Sequence, residues 1–353
     1  MLGIQTSAYI AICLMLYCLL SYILLRCTRV PINVKVLQYT VDHSNDPILV
    51  TRFHRPDWFP KHFNNTPCTF RNCIFSDNRS QLSKSRAVLF YYRHLGKIIP
   101  KKTANQLWII LDFESPLNDQ PLPEMWNKQF DLFHTYLTDS DILRRQSVEL
   151  RSNPLKRNYS LIYKQKTKLS AWLVSNCNTH SNRDEYVKEL QQYINIDVYG
   201  ACGTNNSVCK NLTSKECHII LSQNYKFYIG FENTICKDYI TEKLDDSYEE
   251  NHNAIVVYRG APNVNDLFPS NTFVNVNDFK SMKDLAQYLI SIASGEEKYT
   301  SLLRQKHRYK VNEPHSYCSI CEWLNININQ KPQHTKRDFN KWFRENKCAN
   351  IQG

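Results

Sequence analysis

The sequence predicts an α/β protein of two halves, preceded by a single N-terminal transmembrane helix. From residue 48 onward, short apolar runs typical of buried strands alternate with helical patterns and polar loops. An uncharged apolar run of eighteen residues, from Ala8 to Leu25, is just long enough to cross a bilayer. A chain of 353 residues has room for two core-forming domains but not for three.

The apolar run predicts an uncleaved signal-anchor, because a basic start and a small-residue cleavage site are both missing. Residues 1–7 are then a short cytoplasmic tail, 8–25 the transmembrane anchor and 26–47 a stem. Arg26 and Arg29 alone would place the bulk of the chain in the cytosol. Ten later cysteines favour an oxidising lumen instead. Five N-glycosylation sequons favour it too, at Asn64, Asn78, Asn158, Asn205 and Asn211.

Strand-like runs divide the remaining chain into two predicted domains. The runs ILVTRF, AVLFYY and LWIILDF predict an N-terminal domain over residues 48–165. In residues 166–330, LSAWLVS, the helical NRDEYVKELQQY and INIDVYG form a β-α-β unit, which implies parallel strands. A second unit runs from YKFYIGF through a short helix at 241–250 to AIVVY, and residues 331–353 form a polar, basic tail. The run DLAQYLISI predicts a buried helical face of Leu285, Tyr288, Leu289 and Ile292.

The composition restricts how a ligand could be held. A net charge of +11 suits an anionic ligand such as a sugar nucleotide, although a solvated basic surface would give the same charge. The chain has only eight glycines and contains neither G-x-G-x-x-G nor a Walker motif. A nucleotide would therefore be held by side chains and helix ends. A lumenal location argues against nucleic acid as a partner.

Functional side chains cluster at the predicted carboxyl ends of strands, where doubly wound sheets bind ligands. After YKFYIGF, the segment from Glu232 to Lys243 gathers carboxylates, an amide, a phenol and an ammonium. This set can hydrogen-bond a ribose and neutralise a diphosphate, or it can simply begin a surface helix. Arg183 lies in the first turn of a predicted helix, where a cation opposes the helix dipole. Either a bound anion or a carboxylate such as Asp184 would compensate it.

Two carboxylates, Asp112 and Glu114, end the predicted strand LWIILDF. A carboxylate at the mouth of an apolar strand is partly desolvated, which suits a general base. Either one could instead cap the following loop. The residues themselves leave the choice open.

Together these segments resemble the α1,3-fucosyltransferases of glycosyltransferase family 10, most of all their invertebrate branch. The run YKFYIGFENTICKDYITEKL is similar to the donor-binding signature of that family. The resemblance extends from about Cys68 to Leu324 and includes LDFESP, TDSDI, AWLVSNCN, DVYGACG, FVNVNDFKSMKDLAQYL and YCSICEWL.

The resemblance implies a GT-B fold of two facing Rossmann-like domains, acceptor side first, in the lumen of the Golgi. It implies inverting transfer of L-fucose from GDP-fucose to a GlcNAc of a glycoprotein glycan, in the N-glycan core or in a Lewis-type antenna. Glu114 would be the catalytic base, and Arg183 and Lys243 would contact the diphosphate. The guanosine and fucose parts would be bound by Asn233, Tyr239 and Glu242.

The resemblance also implies that no metal or other cofactor is required, although a divalent cation could stimulate the reaction. Asp139-Ser140-Asp141 looks like the D-x-D metal motif of a different glycosyltransferase fold. In the family that this chain resembles, it is a structural signature. The histidines show no H-E-x-x-H spacing, which argues against a zinc hydrolase.

The Cys318-x-x-Cys321 pair could be half a zinc site, a redox pair or part of two disulfides. A lumenal setting favours disulfides. The resemblance implies that the partners of Cys318 and Cys321 are Cys68 and Cys73.

Four departures from the family pattern leave a second function open. Leu137 stands where arginine is common, LRRQSV follows TDSDI where a V-P-Y-G run is usual, and Arg259 replaces a small residue. Asp245-Asp246-Ser247 stands where an aromatic or apolar helix face usually follows EKL. The alternative function is a catalytically weak glycan-binding or scaffolding relative of the same fold.

Overall fold

The computed structural model describes residues 46–55, 68–144, 147–203, 208–312, 315–327 and 337–349. All of them belong to one compact unit, residues 43–353. The predicted tail and anchor, and all but the last two residues of the predicted stem, lie outside the described residues. Within the described residues, no helix combines the length and the apolar character needed to span a bilayer.

The first sheet confirms the strands predicted in the N-terminal half. It has five parallel strands in the order β2-β1-β3-β4-β5. These are β1 (Ile48–Arg52), β2 (Cys73–Ser76), β3 (Ala87–Tyr91), β4 (Leu107–Asp112) and β5 (Leu132–Thr135). Every residue of β3 and β4 is buried, as expected for central strands covered on both faces.

The second sheet confirms both predicted β-α-β units. Its five parallel strands have the order β11-β10-β9-β7-β8. They are β7 (Lys168–Leu173), β8 (Ile196–Tyr199), β9 (Tyr225–Phe231), β10 (Ile255–Arg259) and β11 (Val274–Asn275). A separate antiparallel pair joins β6 (Ser147–Leu150) to β12 (Tyr309–Asn312).

Nine α-helices surround the strands in the described part of the chain. They are α1 (Tyr159–Gln165), α2 (Arg183–Leu190), α3 (Ser214–Asn224), α4 (Glu242–Asp245), α5 (Val264–Leu267), α6 (Met282–Ser294), α7 (Glu296–Lys306), α8 (Ser316–Ile326) and α9 (Phe339–Arg344). Helix α4 is shorter than predicted because a 3₁₀ turn follows it at Asp246–Tyr248. On α6, three of the four predicted core residues are buried. Tyr288 is 37% exposed, so its assignment to the core was wrong.

The C-terminal part of the chain returns to the first sheet. Ile320 and Leu324 of α8 pack in one core cluster of this sheet, and Phe339 and Phe343 of α9 are fully buried in another. The sequence had placed α8 in the second domain and α9 in a polar tail. The apolar residues of α9 are too few to give a helical pattern by themselves. The disulfide Cys236–Cys348 links the segment after α9 to the loop that follows β9.

Five disulfides join all ten described cysteines. Cys68 bonds to Cys318 and Cys73 bonds to Cys321, so both residues of the C-x-x-C pair are used in long-range bonds. The other pairs are Cys177–Cys202, Cys209–Cys217 and Cys236–Cys348. The described sequon residues Asn78, Asn158 and Asn211 are exposed, and Asn64 and Asn205 lie outside the described residues.

Candidate active site

Glu114 follows the end of β4, and its two carboxylate oxygens have different surroundings. Oε1 accepts hydrogen bonds from the Ser115 amide at 2.9 Å, from Asn118 Nδ2 at 3.0 Å and from the Tyr239 hydroxyl. Oε2 lies 3.6 Å from Arg93, and the side chain is 26% exposed. The described residues thus hold Glu114 through three hydrogen bonds to Oε1, whereas Oε2 has an ion pair with Arg93.

Asp112, the other candidate base, is fully buried. Its Oδ1 accepts the Glu114 amide at 3.1 Å. Burial and the nearby charge of Asp119 raise the pKa of Asp112 well above its usual value. Asp119 in turn is paired with Arg93 at 2.7 Å. Asp112 therefore supports the turn that carries Glu114, and it is not in contact with solvent.

A cavity of about 210 Å³ opens at the carboxyl ends of β7 and β9. Among the residues that line it are four predicted donor-binding residues, Arg183, Asn233, Glu242 and Lys243. Pockets for drug-sized ligands are usually about 300–1,000 Å³. The cavity can therefore enclose part of a sugar nucleotide, with the rest outside it.

Arg183 begins α2 and is only 4% exposed. Its guanidinium donates to the carbonyl oxygens of Phe231 and Asn176, both at 2.8 Å. These two bonds link the end of β9 to the segment that follows β7. Its Nε is buried and donates no hydrogen bond to the described residues.

Lys243 lies among oxygen atoms of its own segment. Its ammonium is 3.2 Å from Glu232 and 2.9 Å from Glu242, and it donates to the Thr241 hydroxyl at 2.8 Å. Burial disfavours the charged form, but the attraction of Glu232 and Glu242 outweighs it and raises the pKa of Lys243. Glu232, which is completely buried, was not among the predicted site residues. Its position directly after an apolar strand was the available signal.

Asn233 and Glu242 lie at the cavity, whereas Tyr239 does not line it. The Oδ1 of Asn233 is buried and has no hydrogen-bond partner in the described part of the protein, which leaves it for a ligand. Glu242 is 62% exposed at the rim. The Tyr239 hydroxyl donates to Glu114 instead. Burial, followed by the charges of Glu232 and Glu114, raises the pKa of Tyr239, so the phenol keeps its proton.

The segment between Asn233 and Lys243 connects this cavity to the first sheet. Besides Tyr239, Asp238 reaches that side and accepts hydrogen bonds from the amide and the hydroxyl of Thr138, at 3.0 and 2.8 Å. Asp238 has a positive φ of 61°, a conformation that Asp tolerates better than most residues. Side-chain contacts therefore hold residues 233–243 against Glu114 and Thr138.

The D-x-D-like segment makes structural contacts. Asp141 accepts the Phe133 amide at 2.7 Å and pairs with Arg337, while Asp139 pairs with Lys347 at 3.2 Å. In the residues that the structure describes, no group of three His, Cys, Asp or Glu side chains is placed to hold a metal ion.

Two of the departures from the family pattern lie outside the cavity. Leu137 is buried in a core cluster of the first sheet. Arg259 donates to the Ser181 carbonyl at 2.6 Å and lies over the ring of Tyr186. Neither residue lines the cavity.

The described residues form an α/β protein with two parallel sheets and a cavity at the strand ends of the second sheet. A crystal structure of an α1,3-fucosyltransferase with GDP-fucose matches this chain with a TM-score of 0.50 and 21% identity, covering 74% of this chain and 82% of that one. The chain belongs to glycosyltransferase family 10, the fucosyltransferases. Residues 163–342 match the C-terminal model of this family, and residues 44–147 match the fucosyltransferase N-terminal model.

Two relatives illustrate the degree of similarity. Glycoprotein 3-alpha-L-fucosyltransferase A of Drosophila melanogaster is 29% identical over 283 residues, which are 78% of this chain and 55% of the relative. Alpha-(1,3)-fucosyltransferase fut-1 of Caenorhabditis elegans is 30% identical over 304 residues, covering 81% and 64%. The chain thus spans less than two thirds of the length of either relative.

Lys243→Ala should weaken binding of GDP and of GDP-fucose by about ten- to a hundredfold, because a charge-assisted contact contributes about 1.5–3 kcal/mol. Guanosine, which lacks the diphosphate, should be affected much less. Isothermal titration calorimetry with the three ligands measures this pattern. Lys237→Ala, an exposed lysine of the same segment, is the control. Unchanged GDP affinity in the Lys243 variant would remove this residue from the donor site.

Proposed function

We propose that this protein transfers L-fucose from GDP-fucose, in α1,3 linkage and with inversion, to a GlcNAc residue of a glycoprotein glycan. The observation that supports this most is the hydrogen bond between Tyr239 and Glu114. It holds a carboxylate of the first sheet beside a segment of which Asn233, Glu242 and Lys243 line the cavity. Membership of the fucosyltransferase family supplies the class of reaction.

In this reaction Glu114 Oε2 accepts the proton of the acceptor hydroxyl. The deprotonating oxygen attacks the anomeric carbon of fucose, the bond from that carbon to the diphosphate breaks, and GDP leaves with the electron pair on the opposite face. The three bonds to Oε1 fix the carboxylate for this step. Positive charge that develops on the sugar is typical of glycosyl transfer.

Arg183 and Lys243 stabilise the departing diphosphate. Both line the cavity, and charge-assisted hydrogen bonds to phosphate oxygens are among the strongest that side chains make. The positive charge of Lys243 is shared between Glu232 and Glu242 before the ligand binds. An arriving diphosphate therefore competes with Glu242, the more exposed of the two carboxylates.

We further propose that the chain acts in the Golgi lumen as a single-pass type II membrane protein. Five disulfides and three exposed sequon residues are consistent with a secretory compartment. The apolar run from Ala8 to Leu25 supplies the anchor.

The test is transfer of fucose from GDP-fucose to a panel of N-glycan core and N-acetyllactosamine acceptors, with the new linkage determined by NMR. We expect an α1,3 linkage to GlcNAc in at least one acceptor. The panel also identifies whether the core or the antenna is used. GDP binding without transfer or hydrolysis would favour the alternative, a glycan-binding relative with little activity.

A further inference from the structure

A buried hydrogen-bond chain ends at the wall of the cavity. The ammonium of Lys306, which is fully buried in α7, donates to the carbonyls of His252 at 2.8 Å and Ala254 at 2.7 Å, and it lies 3.0 Å from His252 Nδ1. His252 Nε2 is 3.1 Å from His218 Nε2. His218 Nδ1 is 3.9 Å from Asp246 Oδ2, and both of these residues line the cavity.

The position of one proton determines which atoms donate and which accept along this series of hydrogen bonds. If Lys306 is an ammonium, its third N–H donates to His252 Nδ1, His252 Nε2–H donates to His218 Nε2, and His218 carries its hydrogen on Nδ1. If the extra proton resides on His218 instead, both of its ring nitrogens carry hydrogen. In either case His218 carries a hydrogen on Nδ1, the ring nitrogen that lies 3.9 Å from Asp246 Oδ2. At that distance the N–H is not hydrogen-bonded to the carboxylate.

The carboxylate of Asp246 favours a hydrogen on His218 Nδ1, the ring nitrogen that lies 3.9 Å from it. Burial lowers the pKa of Lys306, His252 and His218, and the cations Lys166 and Arg151 lower that of Lys306 further. The carboxylate of Asp246 acts in the opposite direction on the pKa of His218. With its hydrogen on Nδ1, His218 presents an N–H to this carboxylate, whereas the other tautomer would place a lone pair against it.

We propose that His218 and Asp246 form a donor–acceptor pair that reads the edge of the nucleobase and selects guanine over adenine. This inference rests on the proposed GDP-fucose donor. Guanine presents the acceptor O6 beside the donor N1–H, whereas adenine presents the donor N6–H₂ beside an acceptor. His218 Nδ1–H is complementary to O6, and the Asp246 carboxylate is complementary to N1–H. Adenine would oppose donor to donor and acceptor to acceptor.

The charges around the cavity place the base at this wall. A diphosphate is attracted to Arg183 and Lys243 and repelled by Asp246, which lies three residues after Lys243 on the next turn. The Tyr228 ring, 3.8 Å from the His218 ring between centroids, holds the imidazole in place. The neutral, hydrogen-donating edge of a base is therefore the part of the ligand that suits Asp246.

The experiment compares binding of GDP, IDP and ADP by calorimetry. IDP keeps O6 and N1–H but lacks the 2-amino group. We expect the wild-type protein to bind GDP and IDP at least tenfold more tightly than ADP, since a site built to pair polar groups rejects a ligand that leaves them unpaired. Asp246→Asn should lower GDP affinity about ten- to a hundredfold and bring it close to that of ADP. Asp266→Asn, the same change at an exposed position, should alter neither affinity.

A second variant separates this role from a structural one. Lys306→Met removes the ammonium at which the hydrogen-bonded series Lys306–His252–His218 begins, at a residue outside the cavity lining. This variant should lower the ratio of GDP to ADP affinity while the protein stays folded. Equal wild-type binding of GDP and ADP, or an unchanged ratio in Asp246→Asn, would overturn the base-reading pair. An unchanged ratio in Lys306→Met would show that the hydrogen bonds from Lys306 through His252 do not orient His218 for base recognition. If the wild type bound no GDP at all, the proposed donor would fall as well.

Discussion

Replacing Glu114 by glutamine should lower the rate of fucosyl transfer at least a hundredfold, because general-base catalysis usually contributes about 10²–10⁴-fold. Glutamine keeps the size of the side chain, and its Oε1 can still accept from Ser115 and Tyr239. Its amide cannot take the proton of the acceptor hydroxyl. GDP affinity should hardly change, since the residues that line the cavity come from other segments. Initial rates at saturating donor, together with GDP calorimetry, measure both effects.

Asp112→Asn is the matched control for this variant. Asp112 is buried beside Asp119, its pKa is raised by that burial, and an amide resembles the protonated carboxyl closely. We expect this variant to keep most of its activity. Glu114 is the wrong assignment if Asp112→Asn abolishes turnover while Glu114→Gln keeps more than about a tenth of it. If neither change lowers the rate, a base at this strand end plays no part in the reaction.

Removing both disulfides that hold α8 should destabilise the protein by about 5 kcal/mol more than removing one of them. Cys68–Cys318 and Cys73–Cys321 close nearly the same loop, with sequence separations of 250 and 248. In the chain-entropy model a loop of this size restricts the unfolded chain by about 5 kcal/mol, and either bond alone achieves this. The second bond closes only a small additional ring, for which the same model gives about 2–3 kcal/mol.

Denaturant unfolding under non-reducing conditions tests this difference. Cys73→Ala with Cys321→Ala removes one bond, and the variant with all four cysteines replaced removes both. Cys209→Ala with Cys217→Ala is the control, because its bond spans a separation of only 8 and should cost about as much as the first variant. If losing one of the long-range bonds destabilised the protein as much as losing both, the shared-loop explanation would be wrong.

The candidate site shows how well sequence motifs predict which side chains meet in the folded protein. Asn233, Glu242 and Lys243 were predicted from one segment after a strand, and all three line the cavity, because the carboxyl end of a strand fixes the position of the next few residues. Tyr239 belongs to the same segment, yet its hydroxyl donates to Glu114, 125 residues earlier in the chain. No local pattern encodes that partner.

Arg183 illustrates the same limit at a single residue. Its place in the first turn of a helix was correct, and the sequence offered a bound anion or a nearby carboxylate to compensate it. The structure adds two backbone carbonyl partners for the guanidinium, of Phe231 and Asn176. Every residue has a carbonyl, so a sequence contains no signal for this kind of contact.

The sequence by itself determined the parallel strands, the β-α-β order and the segments that carry charged side chains, because periodicity and strand ends are local properties of the chain. Only the tertiary structure decided which distant groups meet. It brought Phe339 and Phe343 back onto the first sheet, made a chain of His218, His252 and Lys306, and set Tyr239 on Glu114. Burial patterns show that a side chain is covered, but the identity of what covers it depends on packing between segments far apart in sequence.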